Sequence, residues 1–408
     1  AFQQVFGLDE AGLIIPPHFC ALGAVGAVLV ARENPPADFH LDLNPLREHL
    51  LKDEDQSRRL PRLTPPKALG PEDYEVIDLP EDGSVVEGYL GIDVGSISTN
   101  VVVIDAGMRV LAREYLMTAG RPLEAITEGL RRVGSRLGDR IKIMGAATTG
   151  SGRYLTGDFI GADVVRNEIT AQATAAAAID PEVDTIFEIG GQDSKFISLS
   201  HGAIVDFMMN KVCAAGTGSY LEEQAEKLGI SIRGEFGDLA LAGKNPVRLG
   251  ERCTVFMESD LVHHQQRGAA KEDLVAGLSY SIVQNYLNKV AEDRPIGNHI
   301  FYQGATAANR GIVAAFQQVC GKEITVPPHH DVTGAIGAAL LAMRERDWET
   351  SSFKGFDLAD RHYEVTSFEC SGCPNSCEIR QVKIEGEKPL FYGSRCEKYE
   401  VGKVQKQH

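Results

Sequence analysis

Apolar positions along the chain first gather in short β-type runs. "GYLGIDVG", "TNVVVIDAG" and "RVLAREYL" follow one another, separated by glycines and an Asp-Ala-Gly turn. They predict a meander of antiparallel strands. A helical pattern follows over about 121–138, then a strand at "KIMGAATTG" and a helix over about 166–179. "DTIFEIGGQDSKFISLSHGAIVDFMMN" opens a second strand set, and helical periodicity dominates 217–293. A buried-type strand, "HIFYQGA", leads to a helix over 307–320, a short strand and a closing helix rich in alanine and glycine. Strands followed by helices thus occur twice within 86–347. The pattern predicts an α/β fold with two related lobes, about 86–180 and 181–347, around one cleft.

The closing unit is itself repeated. "AFQQVFG…IIPPHFCALGAVGAVLV" at the start matches "AFQQVCG…TVPPHHDVTGAIGAALL" near 315–341. Two copies of a domain's last unit imply two copies of the domain. Residues 1–30 are therefore expected to be the C-terminal remnant of a preceding domain of the same kind, in a longer tandem protein. Residues 31–85 are charged and proline-rich, and read as a linker with a short helix near "LREHLLKDEDQSRRL". Residues 348–408 read as a separate, Cys-rich β tail.

Composition narrows the function. A 43% hydrophobic and 24% charged chain of 408 residues fits a globular protein. Its net charge of −16 argues against a nucleic-acid surface. We find no basic leader with an apolar core, and no apolar run of about 18 residues. A cytoplasmic protein with no membrane partner is expected, and its eight cysteines are not expected to form structural disulfides.

Three glycine-punctuated turns carry candidate chemistry. "GIDVGS" places Asp93 at a strand end before Gly95 and Ser96, with Ser98 and Thr99 close behind. Glycine lets backbone approach phosphate, and the carboxylate suits a hydrated Mg²⁺. "EIGGQDSK" repeats the device with Gly190, Gly191, Gln192 and Asp193, and "YQGATAANRG" offers Gly304 and Asn309 for a nucleoside. The absence of GxxxxGK[ST] excludes a P-loop enzyme.

Two cysteines stand ahead of helical runs. Cys213 precedes the turn Gly216-Thr217-Gly218 in "NKVCAAGTGSYLEEQ", and Cys253 opens "CTVFMESDLVHHQQ". A helix N-terminus favours thiolate, although either cysteine alone reads as a buried apolar thiol. Glu258 and Asp260 read as a solvated face with a possible coupling role, and His263 and His264 as surface or dimer-face residues. His329 and His330 read as a cap for the closing helix, and Cys20 and Cys320 as packing residues. In the tail, Cys370, Cys373, Cys377 and Cys396 give Cys-x₂-Cys-x₃-Cys-x₁₈-Cys, a zinc or second iron–sulfur site.

The turns together resemble the actin/Hsp70/sugar-kinase ATPase superfamily. Within it, "GIDVGS", "GGQD", "KVCAAGTG", "CTVFMESDL" and "GAIGAAL" resemble the activating ATPases of 2-hydroxyacyl-CoA dehydratases and benzoyl-CoA reductases, over about 86–347. The resemblance implies a two-lobed actin-like (ribonuclease H-like) fold that binds ATP and Mg²⁺. Asp93 and Asp193 would organise metal and water, and Gln192 would orient the water. Cys213 and Cys253 from each of two protomers or repeats would ligate one [4Fe-4S] cluster. A ferredoxin or flavodoxin-type donor would supply electrons, and a dehydratase-like or reductase partner would take them. Two departures stand out: Asn100 where the family often has lysine, and Gln303 where a second glycine is common. Larger members resemble the tail and continue beyond it. The rival readings are a sugar or N-acetylhexosamine kinase, which has no use for the two cysteines, and a nucleotide-sensing scaffold, which would bind ATP without hydrolysing it.

Overall fold

Two stretches of alternating strand and helix build the molecule, and both use one topology. The computed structural model describes residues 5–8, 12–34, 43–44, 59–66, 76–210, 216–251, 253–394 and 396. It divides into two units, Ala1–Arg58 and Arg59–His408.

In the first unit, a 3₁₀ turn (Phe19–Ala21) leads into helix α1 (Leu22–Glu33), none of whose residues is buried. Its entry repeats the geometry of the second "PPH" motif. His18 and His329 both adopt left-handed backbone, φ 59° and 54°. Their carbonyls accept from Ala21 N and Val332 N at 2.7 and 3.0 Å. The sequence repeat is thus a backbone repeat as well. Cys20, expected to pack, is exposed within this unit.

In the second unit, β1 (Val86–Val94), β2 (Ser98–Asp105) and β3 (Val110–Met117) form the expected antiparallel meander. Helix α2 (Pro122–Leu137) leads to β4 (Ile141–Thr149), which lies parallel to β1. Helix α3 (Arg153–Ile160) leads to β5 (Val164–Val165) and α4 (Glu168–Ile179). The sheet order is β3-β2-β1-β4-β5. Buried on both faces, β1 and β2 read as near-continuous apolar runs.

The second lobe repeats this plan. β6 (Thr185–Ile189), β7 (Ser194–Ser200) and β8 (Ala203–Met209) form the meander. β9 (Ile300–Gln303) lies parallel to β6, and β10 (Ile324–Thr325) parallel to β9. The order β10-β9-β6-β7-β8 is that of the first sheet with each strand replaced by its counterpart. Where the first lobe joins meander to parallel strand through α2, the second inserts four α-helices among the described residues. These are α5 (Gly218–Lys227), α6 (Phe236–Ala242), α7 (Thr254–Gln266) and α8 (Lys271–Tyr286). Helix α9 (Arg310–Cys320) then joins β9 to β10, and α10 (Thr333–Arg344) closes the domain.

The chain reaches α10 from the second lobe, yet α10 packs on the first sheet. A Cβ at Gly91 of β1 would stand 1.9 Å from the Ala335 carbonyl oxygen, and one at Gly337 would stand 1.9 Å from that of Ala171 on α4. Only glycine permits these approaches. Helix α4 in turn packs Ile169, Ala173 and Ala176 on the second sheet, against Ile186, Ile197 and Phe301. The two helices therefore cross between the lobes.

Described parts of the proline-rich stretch lie against this domain. Leu63 is 1% exposed in the second-lobe core, and the Tyr280 hydroxyl donates to the Pro61 carbonyl at 2.8 Å. Ile77 N donates to Val110 O at 2.9 Å. The helix expected near 46–60 falls almost wholly outside the described residues. The tail forms an antiparallel sheet of β11 (Tyr363–Glu369), β12 (Glu378–Ile384) and β13 (Leu390–Tyr392). Val382 and Ile384 of that sheet enter the first-lobe core beside Leu90 and Phe159. Among the described residues, no helix is long and apolar enough to cross a membrane.

Candidate functional site

The cleft is built by two hairpin turns of one design. Gly95 N donates to Ser98 O at 2.9 Å, and Gly190 N donates to Asp193 O at 2.8 Å. The turns meet, since a Cβ on Gly191 would stand 2.7 Å from Ile97. Strand pairing extends the match, with Asp93 opposite Asn100 and Glu188 opposite Lys195. "IDVGSISTN" and "FEIGGQDSK" therefore superpose residue for residue. The counterpart of Asp93 is Glu188, and Asp193 is the counterpart of Ser98.

Of the residues expected to bind nucleotide, Asp93, Gly95, Ser96, Ser98, Gly190, Gly191, Gln192, Asp193 and Gly304 line one cavity. At Gly304, φ is +93° and a Cβ would stand 2.5 Å from Ile189 O, so the backbone there requires glycine. Gln192 is exposed, and its carbonyl accepts from the Asn210 amide at 3.3 Å.

The remaining expected contacts stand behind the cavity. Thr99 is buried and shares a 2.9 Å hydrogen bond with Thr118. Asn309 caps α9, its Oδ1 accepting from Gly311 N at 3.0 Å. The Gly216-Thr217-Gly218 turn grips the second hairpin from outside. Gly218 N donates to Gly190 O and Ser219 N to Gly191 O, both at 2.9 Å. The Ser194 hydroxyl donates to Gly216 O at 2.6 Å.

Sequence reading found Asp93 and Asp193 but missed the cleft's buried ion pair. Lys195 is the sole cation among the described residues that line the cleft and pairs with Glu188 at 2.8 Å, both side chains buried. Burial works to lower the Lys195 pKa, but the attraction and hydrogen bond of Glu188 outweigh it, so the pKa is raised and the ammonium stays protonated. The register match carries this signal, because Lys195 lies on β7 where Asn100 lies on β2. The cleft's lysine therefore comes from the second lobe, while Asn100 reaches the Asp331 carbonyl at 3.5 Å. Gln172 and Thr333 also line the cleft, the Thr333 hydroxyl donating to Gln172 Oε1 at 2.6 Å. No local motif marks either of them.

Asp93 sits in a glycine cradle. A Cβ at Gly150 would stand 2.4 Å from its Oδ1, and one at Gly334 would stand 2.1 Å from its Oδ2. Burial pushes its carboxyl up to about 7; Lys195 opposes the shift, and Glu188 and Glu168 add to it. A carboxylate confined among acids gains most from a cation placed beside it. The cradle and the two open turns therefore fit a magnesium–phosphate group.

Cys213 lies outside the described residues. Cys253 is half-buried at the N-cap of α7, and its thiol makes no capping hydrogen bond. Its segment is held firmly, with the Asn285 amide donating to Glu251 O at 2.6 Å and Gly250 N to Asp260 Oδ2 at 2.8 Å. Asp260 thus anchors the loop rather than facing solvent, whereas Glu258 pairs with Lys227 of α5 at 2.7 Å. His264 is buried, its ring Nε2 3.3 Å from Arg248 O, and burial lowers its pKa. Val332, not a histidine, is the N-cap of α10. His329 and His330 are buried, and His330 Nδ1 lies 2.8 Å from Gly304 O. Cys320 packs half-buried against the second-lobe core. Among the described residues, no three Cys, His, Asp or Glu side chains converge as metal ligands, the four tail cysteines included.

Two lobes of one topology around a glycine-lined cleft define an actin-like ATPase fold. A solved structure of the activator of the 2-hydroxyisocaproyl-CoA dehydratase from Clostridium difficile with bound ADPNP matches with a TM-score of 0.58. It is 32% identical, over 63% of this chain and 95% of that one. Component A of the Acidaminococcus fermentans (R)-2-hydroxyglutaryl-CoA dehydratase matches with a TM-score of 0.58 at 30% identity, over 64% of this chain and 99% of that one. The model of the BadF/BadG/BcrA/BcrD ATPase family matches residues 90–342, and the chain belongs to that family. Among curated relatives, "Uncharacterized protein MJ0800" of Methanocaldococcus jannaschii is 34% identical over 62% of this chain. The match spans 61% of that relative's length. The 2-hydroxyisocaproyl-CoA dehydratase activator of Clostridioides difficile is 33% identical, over 63% of this chain and 95% of its own.

Proposed function

We propose that the protein is an ATP-driven electron-transfer activator of a 2-hydroxyacyl-CoA dehydratase or a related reductase. The observation that carries this reading is the physical continuity from the cleft to Cys253. The Gly190-Gly191 carbonyls accept from the first residues of α5. Lys227 at the far end of α5 pairs with Glu258 of α7, whose N-cap is Cys253. A displacement of the phosphate-facing turn therefore carries α5 with it and reaches the cysteine's helix.

In this reading the turns at Gly95 and Gly190 approach the ATP phosphates with bare backbone. Asp93, in its cradle, orients a hydrated Mg²⁺. Lys195 offsets phosphate charge, and Asp193 with Gln192 orders the attacking water at the cleft mouth. ATP and ADP shift the lobes only as far as their affinities for the two arrangements differ. Cys213 and Cys253 would hold a [4Fe-4S] cluster completed by a second protomer or repeat. The free thiol of Cys253 at a helix N-terminus fits that ligand role. When bound, the cluster supplies one-electron chemistry at low potential, loaded by a ferredoxin or flavodoxin-type donor.

Anaerobic purification with iron, sulfide and ATPase assays tests the reading. About two irons per chain are expected, one half of a shared four-iron cluster. They should be lost in Cys213→Ala/Cys253→Ala while ATP binding survives. Wild-type protein that takes up no iron after reconstitution overturns it and returns the kinase and scaffold alternatives.

A further inference from the structure

The tail carries four thiols that the nucleotide cleft does not use, and its strand register brings them to one end of one sheet. The last β11–β12 pair is Glu369 with Glu378, which places Cys370 opposite Cys377. Cys370 N donates to Cys377 O at 2.8 Å and closes the loop between them. Cys373 sits on that loop, its carbonyl accepting from Ser376 N at 3.2 Å. β13 pairs Arg380 with Tyr392, so the strand runs toward this same end of the sheet, and Cys396 follows it in the sequence. Gly393 enforces the approach: its φ is +98°, and a Cβ there would stand 2.4 Å from Glu378 O.

One thiol already sits in a ligand-like setting. Gly372 N–H donates to Cys370 Sγ at 3.4 Å, a contact that favours thiolate over thiol. Cys370 is buried and Cys377 half-buried, whereas Cys373 and Cys396 are exposed, on the loop and beyond the strand end. Convergence requires the two exposed thiols, Cys373 and Cys396, to turn toward the other two. The opposite end of the sheet is anchored, with Val382 and Ile384 in the first-lobe core. The Tyr392 hydroxyl lies 3.2 Å from Asp158 Oδ2 on α3.

We propose that Cys370, Cys373, Cys377 and Cys396 bind one zinc ion as four thiolates and clamp the free end of this sheet. The site is polar and open: β11 is exposed along most of its length, and two of the four thiols face solvent. That setting suits a structural ion without redox duty better than a cluster that needs shielding. Zinc binding releases the thiol protons, and its free energy adds to the stability of the sheet.

The test uses the full chain, purified anaerobically with zinc and iron both supplied. About one zinc per chain is expected in wild type and in Cys213→Ala/Cys253→Ala. Cys373→Ser and Cys396→Ser, both at exposed positions, should lose it and keep wild-type ATP affinity. Cobalt substituted into the wild type should show the intense visible bands of a tetrahedral thiolate site. Zinc that persists in Cys396→Ser overturns the proposal. So does iron that follows the tail thiols, or a wild type without zinc whose tail cysteines are free or disulfide-bonded. Because iron at Cys213 and Cys253 is counted separately, failure here leaves the electron-transfer reading standing, and the reverse holds too.

Discussion

The two lobes have the same sheet order and the same hairpin turn but differ in what joins the meander to the parallel strands. In the first lobe a single helix, α2, makes the connection. In the second, four α-helices intervene among the described residues, and the segment that contains them carries both Cys213 and Cys253. The duplicated half supplies nucleotide geometry, and the inserted half supplies the candidate redox element. The hairpins differ in the same way. Where the first lobe places Asp93 opposite Asn100, the second places Glu188 opposite Lys195. One lobe contributes a buried carboxylate opposite a neutral amide, and the other a carboxylate paired with a lysine.

Breaking the second pair should have the largest effect. Lys195→Met leaves Glu188 buried without its cation and should cost about 3–5 kcal/mol of unfolding free energy. Lys195→Met/Glu188→Leu should recover most of that loss in denaturant titrations. If the single variant is as stable as wild type, the two hairpins do not differ electrostatically.

Removing the Asp93 carboxylate should be felt in turnover. Asp93→Asn is expected to lower ATP hydrolysis by about 10²–10³-fold, as loss of a group that organises metal and water does. Stability should not fall with it. A variant that hydrolyses at wild-type rates would transfer that role to Glu188 or Asp193.

The same residue gives a pH signature. With its folded pKa raised to about 7, Asp93 makes the folded protein bind more protons than the unfolded chain. Its contribution is fully present below the ordinary carboxylate pKa and is lost as pH rises through about 7. Asp93→Asn should therefore be more stable than wild type at pH 8 by about 1–3 kcal/mol, the gap closing near pH 4 and shrinking when MgATP is present. Equal stabilities at pH 8 would contradict the confined carboxylate.

The smallest stability effect should come from Lys227→Ala. Its ion pairs with Glu223 and Glu258 are about half exposed and are worth about 0–1 kcal/mol. The same variant should nonetheless weaken the effect of ATP on the environment of Cys253, read by the alkylation rate of that thiol. An unchanged nucleotide effect would show that α5 does not link cleft to cysteine.

The turns were legible in sequence because glycine and a strand-end acid mark them locally, and the doubled strand-then-helix pattern marked the lobes. The partnership of Lys195 was not, although "FEIGGQDSK" aligned under "IDVGSISTN" shows lysine where the first copy has asparagine. Gln172 and Thr333 reach the cleft from helices that meet only after the lobes fold together. Likewise, a proline-rich stretch reads as linker until Leu63 is seen buried. Its role rests on contacts with residues about two hundred positions away, such as Tyr280, which periodicity does not encode.

The bare contacts at Gly91 and Gly337 have a mechanical consequence. Where α10 lies on β1 and against α4, backbone meets backbone, and no side chain lies between to change rotamer or take up slack. Such a junction leaves no slack between α10, β1 and α4, so the three form one stiff block. The Asp93 cradle is part of that block, because Gly334 of α10 closes one side of it. The second sheet meets the block through side chains, Ile169, Ala173 and Ala176 of α4 against Ile186, Ile197 and Phe301.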